Sequence, residues 1–416
     1  MRLFFSALAI YLSLLSTVEA VSIGVEEFNG SARGLKGAKD NKRRGGKGGK
    51  RGKNGKNGKN GAVECEDMNF NRIATFAICK QLDATCNTDT ETVAEIVTAT
   101  EDGMTLVYTD SEQENIGFVD ISDPANPAAF GTVALSGEPT SVAVLGGLAL
   151  AAVNTSEDFV NTSGELVAID IATRVIVKTW QLGGQPDSVA VSPDGKYILV
   201  AIENERDEDL GDGVPPQMPA GFVVLVETAP DVNDWTSSVI SLTGLPGVLY
   251  PQDPEPEFVA INKKNIAVVT LQENNAILLI DLATKTVSSS FTAGTVDLIN
   301  IDIEEEDLIH MSASLNDVPR EPDGVTFMGN RYFATADEGD LEGGSRGFTI
   351  FDARTGEIAF TSGSSMDQIA AAVGHYPEDR SGNKGVEPEN VAFGTFDGVD
   401  YLFVNAERAN LVYVYD

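Results

Sequence analysis

The stretch Glu255-Pro256-Glu257-Phe258-Val259-Ala260 recurs along the chain, and its recurrence decides the fold. Close copies are Glu321-Pro322-Asp323-Gly324-Val325-Thr326 and Glu387-Pro388-Glu389-Asn390-Val391-Ala392, and looser copies begin at Glu138 and Gln185. The start points are separated by 47, 70, 66 and 66 residues. A short phrase that returns at long, loop-variable intervals indicates a repeat architecture.

Each repeat contains three short apolar runs, followed in most repeats by a more polar fourth run. After Gln185 the first run leads to the turn Pro193-Asp194-Gly195-Lys196, in which proline pre-sets φ and glycine supplies a positive φ. The third run ends in aspartate, as in Ala276-Ile277-Leu278-Leu279-Ile280-Asp281. Four short strands per long repeat are typical of propeller blades, whereas a β-sandwich lacks such a repeat. We therefore predict an all-β fold, a β-propeller of six to seven four-stranded blades.

Six blade starts fall near residues 93, 137, 184, 255, 321 and 387. The propeller domain is therefore predicted over 93–416, and its last repeat stops after the third run, which leaves the last blade incomplete. Residues 62–92 are expected to pack on the propeller edge, where they are candidates for the missing outer strand. They contain Cys65, Cys79 and Cys86, and an odd number of cysteines leaves the disulfide pairing open.

The N-terminal sixty residues indicate export. Residues 1–20 have the features of a signal peptide: Arg2, an apolar run too short to span a bilayer, and the small-residue site Val18-Glu19-Ala20. Residues 21–61 are predicted to be a disordered linker rich in Gly, Lys, Arg and Asn. We expect a secreted or cell-surface protein with no transmembrane segment. Three N-glycosylation sequons agree with export, at Asn29, Asn154 and Asn161.

The formal net charge of −34 hides a division between a basic arm and an acidic body. Residues 32–60 carry 12 Lys/Arg and one Asp, whereas 61–416 carry 16 Lys/Arg against 59 Asp/Glu. Such an acidic body repels nucleic acid and attracts cations and basic partners, although the charge also serves solubility. The arm is either a solvated linker or a contact to a cell-wall or matrix polyanion, and the extracellular ligand of the body is unknown.

Equivalent positions of successive blades surround one axis, so the repeated acids are predicted to form rings. The first residues of the phrases are Glu138, Gln185, Glu255, Glu321 and Glu387. The acids two places further on are Asp187, Glu257, Asp323 and Glu389. The acids between the second and third runs are Glu203, Glu273, Glu338 and Glu407.

Converging carboxylates repel each other and need a cation, a proton or an arginine. Ca²⁺ suits them because it takes six to eight oxygen ligands in flexible geometry. The candidate metal ligands are Glu138, Glu255, Glu257, Glu321, Asp323, Glu387, Glu389, Glu273 and Glu338. The alternative is structural, because repeated Glu and Arg residues at blade starts also pair to lock neighbouring blades. The acidic loop 204–212 matches no EF-hand spacing and is expected to be a solvated loop.

Basic residues close in sequence to these acids raise the alternative of a metal-assisted phosphoesterase. The candidate catalytic residues are Glu255, Glu321, Glu387, Arg320, Arg346 and Arg408. Arg320 is expected to be the charge partner of its neighbour Glu321. The chain has two histidines and no Gly-x-Ser-x-Gly elbow, which argues against a Ser-His-Asp hydrolase.

Longer runs resemble the choice-of-anchor I family of secreted propellers. The resemblance rests on residues 254–260, 270–276 and 280–284, on Thr335-Ala336-Asp337-Glu338-Gly339-Asp340, and on 345–352 and 379–389. It implies an exported or surface-displayed propeller, and some relatives are labelled alkaline phosphatase. The expected function is therefore an extracellular or cell-surface binding protein with Ca²⁺ at the axial mouth. The alternatives are a Ca²⁺-dependent phosphoesterase, alkaline phosphatase-like or phytase-like, and a structural wall or matrix component.

Overall fold

Six consecutive antiparallel sheets form a β-propeller. The structure is a computed structural model that describes residues 70–87 and 89–416. The predicted signal peptide, 1–20, the predicted linker, 21–61, Asn29 and Cys65 lie outside the described residues. Each blade is a sheet whose strands are hydrogen-bonded in the order in which they follow along the chain.

The blades have the following strands. Blade 1 comprises β1 (Ala94–Ala99), β2 (Thr105–Asp110), β3 (Asn115–Asp120) and β4 (Ala128–Ala134). Blade 2 comprises β5 (Glu138–Leu145), β6 (Leu148–Asn154), β7 (Gly164–Asp170) and β8 (Val175–Gln181). Blade 3 comprises β9 (Pro186–Val191), β10 (Tyr197–Ile202), β11 (Phe222–Glu227) and β12 (Thr236–Ser241). Blade 4 comprises β13 (Pro256–Ile261), β14 (Ile266–Leu271), β15 (Ala276–Asp281) and β16 (Thr286–Thr292).

Blades 5 and 6 follow a two-stranded hairpin. The hairpin comprises β17 (Thr295–Ile301) and β18 (Ala313–Pro319). Blade 5 comprises β19 (Val325–Met328), β20 (Tyr332–Asp337), β21 (Gly347–Asp352) and β22 (Ile358–Thr361). Blade 6 comprises β23 (Pro388–Phe396), β24 (Val399–Ala406) and β25 (Leu411–Tyr415). The helices are α1 (Cys79–Leu82) and α2 (Ser365–Val373), with short 3-10 turns at Val232–Asp234 and Glu378–Arg380.

The predicted propeller is confirmed, with six blades. Five blades have four strands and blade 6 has three. The missing strand is not supplied as expected, because within 70–87 and 89–416 no fourth strand pairs with β25. The expected outer-strand segment instead contains helix α1 in its described part.

Burial explains the sequence of each strand. The second and third strands, such as β14 and β15, are apolar almost throughout because both of their faces pack against neighbouring blades. The outer strands, such as β16, are exposed or half-buried along most of their length. Five apolar clusters fill the spaces between consecutive blades from blade 1 to blade 6. A leucine fully buried there, such as Leu278, stabilises the fold by about 1.5–3 kcal/mol.

The segment before blade 1 is attached to that blade. Phe76 and Ile78 pack against the cluster of Tyr108 and Val119. The Gln81 side chain donates to the Phe118 carbonyl and accepts from the Gly131 amide. A disulfide joins Cys79 to Cys86 across helix α1. None of the described helices is long and apolar enough to cross a bilayer.

Candidate functional site

A β-bulge recurs near the start of the inner strands. In blades 1, 2, 3, 4 and 6 the inner strand has one residue more than its neighbour at this place. The bulge follows the phrase proline or, in blade 1, Ala94. Its first residues are Glu95, Thr140, Asp187, Glu257 and Glu389. Because a bulge bends the strand and re-aims a side chain, the repeat presents these residues at equivalent positions in each blade.

Asp187, Glu203 and Glu257 form the tightest acidic cluster, here called the axial triad. One carboxylate oxygen of each lies within 4.8 Å of the others. Asp187 and Glu257 come from the bulges of blades 3 and 4, and Glu203 follows strand β10. Glu203 is 8% exposed and Glu257 is 9% exposed.

The axial triad binds protons more tightly than ordinary carboxylates do. Burial, with the negative charges of Glu205 and Glu95, raises the pKa of Asp187 to about 7. Burial and the charge of Asp187 raise the pKa of Glu203 well above its ordinary value, and the pKa of Glu257 rises in the same way. Among the described residues no Lys or Arg lies within ion-pair distance of the triad. The triad therefore attracts either protons or an external cation.

The triad lines a cavity of about 370 Å³, here called the axial cavity. The cavity wall also contains Glu95 and Glu138 of blades 1 and 2 and Glu205 of the loop after β10. The Glu208 side chain, at 69% exposed, brings one part of the wall to the solvent. The cavity is therefore acidic and accessible at its rim.

Arg206 is the basic residue that lines this cavity, and its guanidinium N–H groups already donate hydrogen bonds within the protein. Its Nη1 lies 2.9 Å from Glu273 and 3.4 Å from Glu255, and its Nη2 contacts Asp340 and Glu208. Its Nε donates to the Gly213 carbonyl at 2.9 Å. The loop of blade 3 thus supplies the counter-charge for acids of blades 4 and 5.

Even with this arginine, Glu255 and Glu273 retain a high proton affinity. Burial and the charge of Glu273 raise the pKa of Glu255 to about 9, although Arg206 opposes the rise. Burial raises the pKa of Glu273 to about 8 against the same arginine. Glu255 Oε1 and Glu273 Oε2 are buried and have no hydrogen-bond partner among the described residues.

Glu321, a predicted ligand, supports a loop. Its carboxylate accepts from the backbone amides of Asp340 at 2.7 Å and Glu342 at 2.8 Å, and its own φ is 43°. The predicted Arg320–Glu321 pair was wrong. Arg320 instead lies 3.9 Å from Asp337 and donates to Thr349 and to two backbone carbonyls, because its side chain is buried between blade 5 and the link from β16 to β17.

Glu387 is also paired. Its carboxylate accepts from Arg380 at 2.5 Å and from Arg408 at 3.0 Å. Like Glu321, it has a positive φ, 51°, which a non-glycine residue adopts only when its surroundings hold it there. Glu321 and Glu387 therefore turn the chain into the inner strand of a blade.

Arg346 lies in a buried junction. It is 1% exposed and lies 3.3 Å from Asp367 of α2. Its guanidinium donates to the carbonyls of Asp302, Ser381 and Asn383 at 2.8, 2.8 and 2.9 Å. One side chain thus joins the end of the hairpin, helix α2 and the loop before blade 6.

Three of the remaining predicted ligands, Asp323, Glu338 and Glu389, belong to blades 5 and 6. Glu338 accepts from Lys384 at 3.1 Å, which also lies 3.8 Å from Asp340. Burial and the charges of Glu338 and Glu389 raise the pKa of Asp323 well above its ordinary value. Glu138, in contrast, lies at the exposed start of β5.

Sequence reasoning placed Asp187 and Glu203 in the acid rings without choosing them as ligands, assigned Glu205 to a solvated loop, and missed Glu95. Glu95 was missed because blade 1 reads Val93-Ala94-Glu95 in place of the Glu-Pro-acid phrase. The register supplies the signal, since Ala94 pairs with Asp110 as Pro256 pairs with Leu271. An alignment of inner strands, not of Glu-Pro phrases, would find Glu95.

The two described sequons have different surroundings. Asn154 lines the cavity and its side-chain oxygen accepts from Ser156 N at 2.9 Å. Asn161 is exposed and donates to Asp158. Of these two, Asn161 is the better placed to carry a glycan.

The solved structures that match this chain show only distant similarity to it. The hydrazine synthase of Kuenenia stuttgartiensis is 16% identical, with 77% of this chain and 94% of that chain covered and a TM-score of 0.41. A virginiamycin B lyase from Staphylococcus aureus is 12% identical, with 77% and 82% covered and a TM-score of 0.45. Similarity at this level carries no argument about function. Among the curated proteins, no sequence matches this chain.

The family is established by sequence. The choice-of-anchor I domain model matches residues 95–343 and 341–416, which span the six blades. The match confirms the resemblance inferred from the repeated runs. It supports, in general terms, a role as a surface or interaction protein. The chain belongs to the choice-of-anchor I domain family.

Proposed function

We propose that this propeller is an extracellular or cell-surface binding protein that holds Ca²⁺ in its axial cavity. The observation that carries the proposal is the convergence of Asp187, Glu203 and Glu257, whose oxygens lie within 4.8 Å of one another. Ligands of one Ca²⁺ ion sit at about 2.3–2.6 Å from it, so two of them are at most about 5 Å apart. The spacing of the triad fits that limit.

The oxygen count also suits calcium. Three carboxylates supply three to six oxygens, and water completes the coordination of an ion that takes six to eight ligands. Binding such an ion would offset the mutual repulsion of three buried acids, which no described base neutralises.

Calcium titration of the purified protein tests the proposal. Isothermal calorimetry at pH 7.5 should give a saturable site, and Ca²⁺ at a hundred times its Kd should stabilise the fold by about 2.7 kcal/mol. Asp187→Asn should weaken binding at least about tenfold, a loss of about 1.4 kcal/mol. The matched control is Glu304→Gln, at an exposed position of the hairpin. Equal calcium affinity in the wild type and Asp187→Asn would refute the assignment.

The phosphoesterase alternative receives no support from the geometry. The candidate arginines Arg320, Arg346 and Arg408 all contact acids, and so do the nearby bases Arg206, Arg380 and Lys384. An anionic substrate would also meet Glu95, Glu138 and Glu205 in the cavity wall. Release of phosphate from mono- or diesters with Ca²⁺ present, lost in Glu255→Gln, would restore this alternative.

A structural role in a wall or matrix is the third reading, and it depends on the basic arm, 32–60, outside the described residues. Deletion of 32–60 separates this reading from a linker role. Loss of surface retention would support an arm that contacts a polyanion. Unchanged retention would leave the arm as a linker and the axial cavity as the functional surface.

A further inference from the structure

The axial cavity is too large for the ion alone. Its volume of about 370 Å³ accommodates on the order of ten water molecules, whereas a Ca²⁺ ion and the oxygens that complete its shell occupy only part of that space. The rest of the cavity is lined by polar side chains. Its occupant is therefore expected to be longer than a single ion and cationic.

A second acidic group faces the triad. It comprises Glu95, Glu138 and Glu205, which line the same cavity. The negative charges of Glu205 and Glu95 help to raise the pKa of Asp187, and the charge of Glu205 helps to raise the pKa of Glu138. The Gln185 side chain donates to Glu205 at 3.1 Å, but within the described residues no basic side chain forms an ion pair with this second group.

One Ca²⁺ ion does not neutralise both groups. The triad carries three carboxylates and the second group carries three more, so a divalent ion leaves most of the negative charge uncompensated. Arg206 does not supply the difference, because its guanidinium is bonded to Glu273, Glu255 and Asp340.

A buried acceptor in the same wall is also unfilled. Glu273 is 3% exposed, and its Oε2 has no hydrogen-bond partner among the described residues. An unpaired buried oxygen costs free energy until a donor reaches it. Ammonium groups are suitable donors, because each has several N–H groups and a compact positive charge.

We propose that the axial cavity binds a linear polyamine, with one ammonium group at Asp187, Glu203 and Glu257 and another at Glu95, Glu138 and Glu205. The inference rests on the proposed function in one respect, that the triad is a cation site. Methylene spacers distribute the charge of a polyamine along its length, so one molecule can reach carboxylates that come from four different blades, whereas one compact ion contacts only the nearest. Thr140, Asn154 and Gln272 in the wall offer further oxygens to the N–H groups.

Calorimetric titrations with spermidine, putrescine and butylamine test the proposal. We expect affinity to fall in that order, by about tenfold or more between spermidine and butylamine, since each lost ion contact of about 1.4 kcal/mol is a factor of ten. Ca²⁺ should compete with spermidine, because both use the triad.

Two variants distinguish spermidine binding from Ca²⁺ binding. Glu95→Gln combined with Glu138→Gln should weaken spermidine binding about tenfold or more and change Ca²⁺ binding by less than about threefold. Asp187→Asn should weaken both. Glu304→Gln, in the exposed hairpin, should change neither. Circular dichroism and melting curves confirm that each variant is folded.

The outcomes distinguish the two proposals. Calcium binding without spermidine binding overturns the polyamine site and leaves the proposed function intact. Spermidine binding without calcium binding does the reverse. Equal affinities for spermidine and butylamine overturn the two-group arrangement. A tetralysine peptide that binds more tightly than spermidine also overturns it, in favour of the basic side chains of a protein partner.

Discussion

Two sets of buried acids in this propeller have opposite surroundings. The paired acids Glu321, Asp337, Asp367 and Glu387 each accept hydrogen bonds from the backbone, hydroxyls or arginine. Among the described residues no Lys or Arg forms an ion pair with the axial triad, Asp187, Glu203 and Glu257. The two sets occupy different positions: Glu321 and Glu387 begin a phrase, whereas Asp187 and Glu257 lie two places further on. The neighbours that each position meets decide whether its carboxylate is paired.

Proton affinity follows that difference. Burial raises the pKa of Asp337 to about 6 and of Asp367 to about 6, and their donors limit the rise. The pKa of Asp187 reaches about 7 and those of Glu203 and Glu257 rise well above the ordinary value, because neighbouring negative charges add to burial. The donors around the paired acids offset part of the cost of burying their charge, whereas the triad strains the fold unless a cation or protons are present.

The largest expected effect on stability is at Arg346, the charge partner of the paired acid Asp367. Arg346→Leu leaves Asp367 without its charge partner and three carbonyls without a donor, so we expect the free energy of unfolding to fall by about 3–5 kcal/mol. Urea denaturation measures the loss. The control is Arg354→Leu, whose side chain is 73% exposed, with an expected change of less than about 1 kcal/mol. Similar losses in the two variants would contradict the role assigned to this junction.

The triad should give an inverse dependence of stability on pH. With chelator present, the folded state binds more protons than the unfolded chain wherever pH lies between the ordinary carboxylate pKa and the raised values. The pKa of Asp187, raised to about 7, places that window from roughly pH 4 to pH 7, and the raised pKa values of Glu203 and Glu257 extend it upward. We therefore expect stability to fall as pH rises through the window, by about 2–4 kcal/mol in total.

Denaturant titrations from pH 5 to pH 9 measure this slope. The general negative charge of the chain also lowers stability as pH rises, so the informative quantity is the difference from the double variant Asp187→Asn, Glu203→Gln. That variant should have the shallower slope, and Glu304→Gln should keep the slope of the wild type. A wild-type slope no steeper than that of the double variant would contradict the assigned proton affinity.

Glu321→Gln should destabilise the protein because its carboxylate serves two backbone amides. An amide group in its place offers one acceptor and turns a donor toward an N–H group, so we expect a loss of about 1–3 kcal/mol. Thermal unfolding at pH 7.5 shows whether the substitution lowers the stability of the protein. A neutral result would show that water replaces the carboxylate at the loop 338–344.

Asp187→Asn should have the opposite sign and the smallest magnitude. With chelator at pH 8 the substitution removes one of three repelling charges, and we expect stabilisation of about 1–2 kcal/mol. With saturating Ca²⁺ the same substitution should destabilise the protein relative to the wild type. Destabilisation under both conditions would place Asp187 with the paired acids.

The sequence predicted the blades better than it predicted the site. Glu255-Pro256-Glu257 marks a blade start wherever it recurs, because the phrase and its strands repeat together. It does not separate Glu255 from Glu257, two residues apart. Glu255 contacts Arg206, which lies 49 residues earlier in a loop, whereas Glu257 is a member of the axial triad. Contacts between loops of different blades depend on loop geometry, which the repeat does not encode.

The recurring bulge has a consequence for how this family can diversify. The bulged residue lies outside the regular pairing of its sheet, so a change of side chain there leaves the ladder of the blade intact. Blade 2 already has Thr140 where blades 1, 3, 4 and 6 have an acid. Single substitutions at these five positions can therefore alter the charge and the selectivity at the centre of the propeller, while the pairing of the strands in each blade stays the same.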